Sequence, residues 1–168
     1  MTEHTDRNDA ERRLQAALDI DMYQQPGHLI RRAQQVHTHL WTSSVSTEIT
    51  STQFAVLSVI AERPGSDQNT ISRRVSLDTS TVAEVVYRLT ERGYLTRVKD
   101  PADRRRNLHS LSPEGERVFT EVSRSAADMT DRMTAVLSEH DRDELVRILQ
   151  NLVEAGERLR EENPGGEK

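Results

Sequence analysis

Between residues 28 and 160 the apolar positions recur mostly at spacings of three and four, and Pro, Gly and capping residues cut the pattern into short segments. Leu29, Ala33, Val36 and Leu40 mark one face of a helix over about 28–45, preceded by the break at Pro26 and Gly27. Thr50 or Ser51 offers an N-cap to an apolar helix carrying Phe54, Leu57, Val59 and Ile60, which stops at Arg63 before Pro64 and Gly65. Asp67 caps a short helix, Gln68–Val75, with Ile71 and Val75 on one face. Asp78 or Thr79 opens another, running to about Arg92, with Val82, Val85, Val86 and Leu89 inward and Gly93 as its stop.

The period then changes. Residues 94–98 and Asn107–Leu111 read as two strands around a loop, 99–106, that holds Pro101 and three consecutive arginines. Ser112 followed by Pro113 is an N-cap with proline at the first helical position, so a long helix is expected from there to Val136 or Leu137. Ser138 restarts the pattern, and Leu145, Ile148, Leu149, Leu152 and Leu159 carry a last amphipathic helix. Residues 1–25 read as a flexible polar arm with a short helix around 11–18, and 161–168 as a disordered tail. Two short helices joined by a tight turn and followed by a hairpin have the organisation of a winged helix-turn-helix. The expected fold is therefore mainly α with a small β-hairpin wing. A single domain, 26–160, would hold a winged helix-turn-helix lobe at 51–111 between dimerisation helices at 26–50 and 112–160, whose apolar stripes need a partner chain.

Charge sharpens this picture. The 168-residue chain is acidic overall, with a net charge of −5, yet residues 67–111 hold nine Arg and Lys against six Asp and Glu. A local basic surface on an acidic protein suits DNA contact while limiting indiscriminate binding. The chain contains no cysteine, so disulfides, thiolate chemistry and Cys-based zinc sites are excluded. It has no Gly-rich phosphate loop, no Gly-x-Ser-x-Gly and no His-Glu-x-x-His, and an enzyme is not expected. Neither an export signal nor a membrane span is found, and a cytoplasmic protein without membrane partners is expected.

The run from Gly93 to Gly115 resembles the MarR family of transcriptional regulators. It places Gly93, Leu95 and Arg97 after the second helix, Asp100, Pro101, Asp103, Arg104 and Arg105 in the loop, and Leu111, Pro113 and Gly115 at the opening of the next helix. Ser112 stands where the family usually has threonine. The resemblance implies a homodimer with intertwined terminal helices, a pseudo-palindromic double-stranded DNA operator, and repression relieved by a small ligand bound between the dimerisation helices and the DNA-binding lobe. It further implies that Arg105 enters a minor groove and that Asp103 holds the wing.

Within that frame the residues have expected roles. Thr79, Ser80 and Thr81, at the start of the recognition helix, can meet base edges or serve only to cap it, and Arg88 can reach a phosphate or a base. Arg104, Arg105 and Arg106 suit a narrow minor groove. Arg73 and Arg74, on the preceding helix, suit backbone contacts. The segment 24–41 resembles the first helix of MarR-type regulators of aromatic-acid catabolism. Arg31 and Arg32 offer cations to a carboxylate, and His37 and Trp41 can flank a ring, which makes an aromatic acid or its coenzyme A thioester the expected effector. Trp41 as a core or interface aromatic, with solvated arginines, is the alternative. No resident cofactor is expected. A metal-responsive regulator on the same fold is a second possibility, although His37 and His39 diverge on a helix.

Overall fold

A computed structural model describes residues 13–15 and 21–162. Residues 13–15 are helical and the remainder of the expected helix at 11–18 lies outside the described residues, as do 163–168. Part of the expected arm is a 3₁₀ turn, Met22–Gln24, whose first amides are met by the Asp21 side chain, which accepts from the Tyr23 amide at 2.9 Å. The helices that follow are α1 (Pro26–Ser44), α2 (Ser51–Glu62), α3 (Gln68–Val75) and α4 (Thr79–Glu91). Strands β1 (Leu95–Lys99) and β2 (Asn107–Leu111) come next, then α5 (Pro113–Thr134) and α6 (Glu139–Glu162). The chain divides into two compact units, residues 1–40 and 41–168, with the boundary inside α1.

Local chemistry explains each boundary. Thr50 and Gln53 form a reciprocal capping box, Gln53 N–H to Thr50 Oγ1 at 3.1 Å and Thr50 N–H to Gln53 Oε1 at 3.0 Å, so the buried Gln53 is a cap rather than an error in the apolar pattern. Gly93, at φ 76°, ends α4 and turns the chain into β1 one residue later than expected. The last helix runs through Glu162, two residues into the segment expected to fray.

In the second unit Val56, Leu57, Ile60, Ile71, Val82, Val86 and Leu89 are essentially inaccessible. Burial of side chains of this size stabilises by about 1.5–3 kcal/mol each. Val75 and Val85, expected inside, are only half-buried. Trp41 is 5% exposed, donates its indole N–H to the Ile49 carbonyl at 2.6 Å, and lies tilted against Phe54, which stacks on Phe119. Among the described residues α6 contributes no buried side chain, and Leu145, Ile148, Leu149 and Leu152 remain 39–49% exposed.

Strands β1 and β2 pair antiparallel with Leu95 opposite Leu111 and Arg97 opposite His109. The segment after α2 adds to the hairpin as an isolated bridge, with His109 N–H to Ser66 O at 2.9 Å and Gly65 N–H to His109 O at 2.9 Å. His109 is 2% exposed, and neither ring nitrogen has a hydrogen-bond partner among the described residues. Burial pushes its pKa below the usual histidine value, with Arg97 acting in the same direction and Asp67 against it. Asp67 caps α3 through the Thr70 amide at 2.9 Å and holds Arg106 by Nε at 2.9 Å and Nη2 at 2.6 Å. The Thr70 contact, followed by Arg106, lowers the Asp67 pKa despite burial.

These contacts generate two predictions. A Cβ on Gly115 would sit 2.0 Å from the Tyr94 carbonyl oxygen, itself fixed by the Ser112 amide at 3.0 Å, so Gly115→Ala should destabilise by about 1–3 kcal/mol or more in denaturant melts. Stability should also fall with pH in two windows. The folded His109 pKa is lowered by burial, so stability declines as pH drops below the unfolded histidine value of about 6.5, whereas Asp67, with its lowered pKa, loses its contribution only as pH falls below about 4. Thermal melts of His109→Leu should lose the upper window, and those of Asp67→Asn should lose part of the lower one.

Candidate nucleic-acid interface

Helices α3 and α4 are joined by a three-residue turn, 76–78. Ser76 adopts the left-handed conformation (φ 54°, ψ 35°), Leu77 N–H returns to Ser72 O at 3.2 Å, and the Ser72 hydroxyl donates to Leu77 O at 2.5 Å. Asp78 caps α4, accepting from the Thr81 amide at 2.8 Å, from the Thr81 hydroxyl at 2.5 Å and from the Ser80 hydroxyl. The Ser80 hydroxyl, then the Thr81 hydroxyl and amide, hold the Asp78 carboxyl far below the usual carboxylate range. Both hydroxyl protons are therefore engaged locally, and capping accounts for Ser80 and Thr81 as placed. Their oxygens retain acceptor capacity, and Thr79 and Ser80 are exposed.

With Val82, Val86 and Leu89 inward, the opposite face of α4 presents Ser80, Glu84, Tyr87 and Arg88 to solvent. Tyr87, 64% exposed, was absent from the expected contacts; its place between inward positions 86 and 89 was the available signal. Arg88 pairs with Glu84 one turn back, both 62% exposed. A pair this open is worth at most about 1 kcal/mol and does not bar Arg88 from a phosphate. Tyr87 adds an exposed phenol, able to donate and accept, to the same face.

The wing loop is built by two aspartates. Asp100 accepts from the Ala102 amide at 2.8 Å and Asp103 from the Arg105 amide at 3.0 Å, while backbone bonds join Asp100 to Arg106 at 3.1 Å and Arg106 to Asp103 at 2.9 Å. These are turns in which a short carboxylate substitutes for backbone acceptors. Asp100 and Asp103 each hold a turn of the loop in this way.

The three consecutive arginines separate in function. Arg106 is not a loop-tip cation: it is bound to Asp67 and lies 3.6 Å from Asp100, tying the wing to the start of α3. Arg104 and Arg105 are exposed, and no ion pair engages either among the described residues. Arg74 pairs with Glu62 at 3.1 Å, bracing α3 against α2, whereas Arg73 is exposed. Arg92 binds Glu48 through its carbonyl at 2.7 Å and carboxylate at 3.0 Å. Of the nine cations in 67–111, Arg74, Arg88, Arg92 and Arg106 are paired internally, which leaves Arg73, Arg97, Lys99, Arg104 and Arg105 as the basic surface. Four of those five belong to the hairpin.

The residues expected to hold an effector do not share one helix face. Successive residues diverge by about 100° on an α-helix, which puts Arg31 about 120° and Arg32 about 140° round from His37. Both arginines are exposed and neither is paired with a carboxylate among the described residues; Arg31 donates to Gln35 Oε1 at 3.1 Å and lies 3.3 Å from His28 Nδ1. His37 is half-buried. Trp41 is a correction: with its N–H bound to Ile49 O and its ring against Phe54, it is a core aromatic and no longer an open wall for a ligand. Among the described residues no cluster of three or more His, Asp or Glu could hold a metal ion, and no helix is long and apolar enough to cross a membrane.

Comparison with known proteins agrees with this architecture. The MarR family model matches residues 49–106, from the loop before α2 to the end of the wing loop. The chain is similar to the PcaV transcriptional regulator from Streptomyces coelicolor in complex with its natural ligand, with 42% identity, 82% of this chain and 97% of that chain covered, and a TM-score of 0.79. It is similar to BpsR of Bordetella bronchiseptica, whose DNA binding is regulated by 6-hydroxynicotinic acid, at 30% identity over 77% of this chain and 94% of that chain, with a TM-score of 0.74. It is 27% identical to the transcriptional regulator HosA of Escherichia coli O111:H- over 76% of this chain and 94% of that protein. The chain belongs to the MarR family of winged helix-turn-helix proteins and is a DNA-binding transcriptional regulator, not an enzyme.

Proposed function

We propose that the protein is a repressor that binds a pseudo-palindromic operator as a homodimer and is released by a small aromatic anion. The observation that carries the DNA reading is the division of labour in the wing. Asp100, Asp103 and Arg106 fix the loop, and Arg104 and Arg105 remain exposed without ion pairs. Arginine held ready on a rigid turn suits the electronegative minor groove, with α4 in the neighbouring major groove and Thr79, Ser80, Tyr87 and Arg88 toward the DNA. Arg73 and Lys99 supply phosphate contacts.

The apolar stripe of α6 supports the homodimer, because Leu145, Ile148, Leu149 and Leu152 stand open in a single chain. Leu29 and Val36 of α1 are likewise 46% and 52% exposed. A two-fold dimer presents two recognition helices to successive major grooves, hence an imperfect inverted repeat. The effector reading rests on two cations of α1 without carboxylate partners among the described residues, Arg31 and Arg32, and on similarity to BpsR, a protein that answers to an aromatic carboxylate. Trp41 enters it as the core anchor of the same helix.

Fluorescence anisotropy against the DNA upstream of its own gene, in excess competitor and across a salt series, tests the reading. Tight, saturable binding that weakens steeply with salt is expected; binding no better than competitor to this and to selected sequences would refute it. Arg105→Ala should weaken operator binding by about 1–3 kcal/mol and reduce the salt slope by about 1 with the melting temperature unchanged. Arg106→Ala should instead lower the melting temperature. Screening hydroxybenzoic, hydroxycinnamic and hydroxynicotinic acids and their coenzyme A thioesters should find a compound that lowers operator affinity about 5- to 150-fold. Arg31→Ala or Arg32→Ala should abolish that response and leave DNA binding in place.

A further inference from the structure

Ser76 is the non-glycine residue with positive φ among the described residues, and it sits at the centre of the turn between α3 and α4. The left-handed conformation costs a non-glycine residue about 1 kcal/mol or more, and glycine would adopt it freely. What serine adds is a hydroxyl. That hydroxyl donates to the Glu157 carboxylate on α6, 81 positions later in the chain. The Ser76 carbonyl accepts from Arg160 Nη1 at 3.4 Å, one residue short of a helical turn further along α6. The same turn is thus gripped at side chain and backbone by two residues of one helix face.

Burial along α6 marks the same place. Its middle, from Asp143 onward, is exposed almost throughout, but Ala155, Gly156 and Glu157 are half-buried. The other apolar residues of this half, Leu152, Val153 and Leu159, are exposed, so the contact with the turn stands out as the point where α6 meets the DNA-reading motif. Asp78, the cap of α4, lies two residues beyond Ser76. A shift of the turn therefore re-aims the N-terminal end of the recognition helix.

We propose that Glu157 and Arg160 are positioning residues for DNA recognition: by clasping Ser76 they fix the bearing of α4 relative to α6. This rests on the operator reading given above. In a dimer built on α6, the clasp makes the separation of the two recognition helices a property of the dimer rather than of each lobe. Its function is then to select the spacing of the two half-sites. Neither residue touches a base or a phosphate in this scheme.

Two measurements on the full-length protein test it. The first needs no DNA: amide hydrogen exchange over residues 72–82. Glu157→Ala and Ser76→Ala should speed exchange of this segment about fivefold or more, with the core of α2 unaffected; unchanged exchange overturns the clasp. The second compares a selected operator with one carrying an extra base pair between its half-sites. The wild-type protein should lose about tenfold or more in affinity on insertion, while Glu157→Ala, Arg160→Ala and Ser76→Gly should bind the original operator about fivefold more weakly and lose less than about threefold on insertion. Ser76→Gly separates the clasp from simple turn strain. It relieves the φ strain and should raise the melting temperature, yet it should lose spacing selectivity like Glu157→Ala. Wild-type spacing selectivity in all three variants overturns the proposal. Failure of the wild-type protein to bind any selected duplex refutes the operator reading instead, and the exchange measurement still decides whether the clasp exists.

Discussion

The DNA-binding lobe depends on one carboxylate. Asp67 begins α3 by accepting the Thr70 amide, and the same group receives two nitrogens of Arg106 from the far end of the wing loop. Just before it, Ser66 O accepts the His109 amide and Gly65 N–H donates to the His109 carbonyl, so the chain entering the helix-turn-helix is stitched to β2, while Asp67 itself is tied to the loop. Loss of a cap alone costs about 0.5–2 kcal/mol. Here the loss would also free the wing, because Arg106 would retain only the longer contact to Asp100 at 3.6 Å. Helix start, hairpin position and loop shape are therefore a single mechanical unit. In the operator reading proposed above, that unit sets the separation at which α4 and the arginine loop meet adjacent grooves.

His109 is the counterpart of this arrangement. It lies in the strand face against that junction with both nitrogens unpartnered and a depressed pKa. A buried polar group without a partner costs about 1–3 kcal/mol relative to an apolar side chain of similar shape. The lobe therefore carries a local deficit beside its most strongly tied corner, and the deficit deepens when the imidazole is protonated. The sign matters: Asp67 attracts the imidazolium and Arg97 repels it, but burial is the largest influence and decides the outcome.

What the sequence made legible was local. Gln68–Val75 and Asn107–Leu111 lie where pattern and caps put them, and Gly93 marks the end of α4 and Ser112 and Pro113 the start of α5 because each acts through its own backbone geometry. What it left hidden was set by partners distant in the chain. Three identical arginines in a row carry no mark of which one turns inward; Arg106 does so because the Asp103 turn aims it at a residue 39 positions earlier. Trp41 could be read as a ligand wall until its N–H found an acceptor eight residues on, in a loop with no periodicity of its own. Arg31, Arg32 and His37 looked like one site because they are close in the chain, whereas helical geometry spreads them around α1. Ser76 gave no signal, since a serine in a turn is ordinary and only its φ and its contact with Glu157 make it special.

The pairing pattern also explains how an acidic protein can address DNA. At a net charge of −5 the molecule as a whole repels a polyanion, and that repulsion is screened beyond about 8 Å at physiological salt. Within that range only nearby charges count. Internal pairing neutralises the cations that brace the lobe, Arg74, Arg92 and Arg106, and leaves Arg97, Lys99, Arg104 and Arg105 together on one hairpin. Attraction is thus confined to a patch narrower than the protein, at the place where shape must also fit. Under the operator reading proposed above, affinity and orientation arise from the same few arginines, so the geometry that holds the wing also determines which encounters are productive.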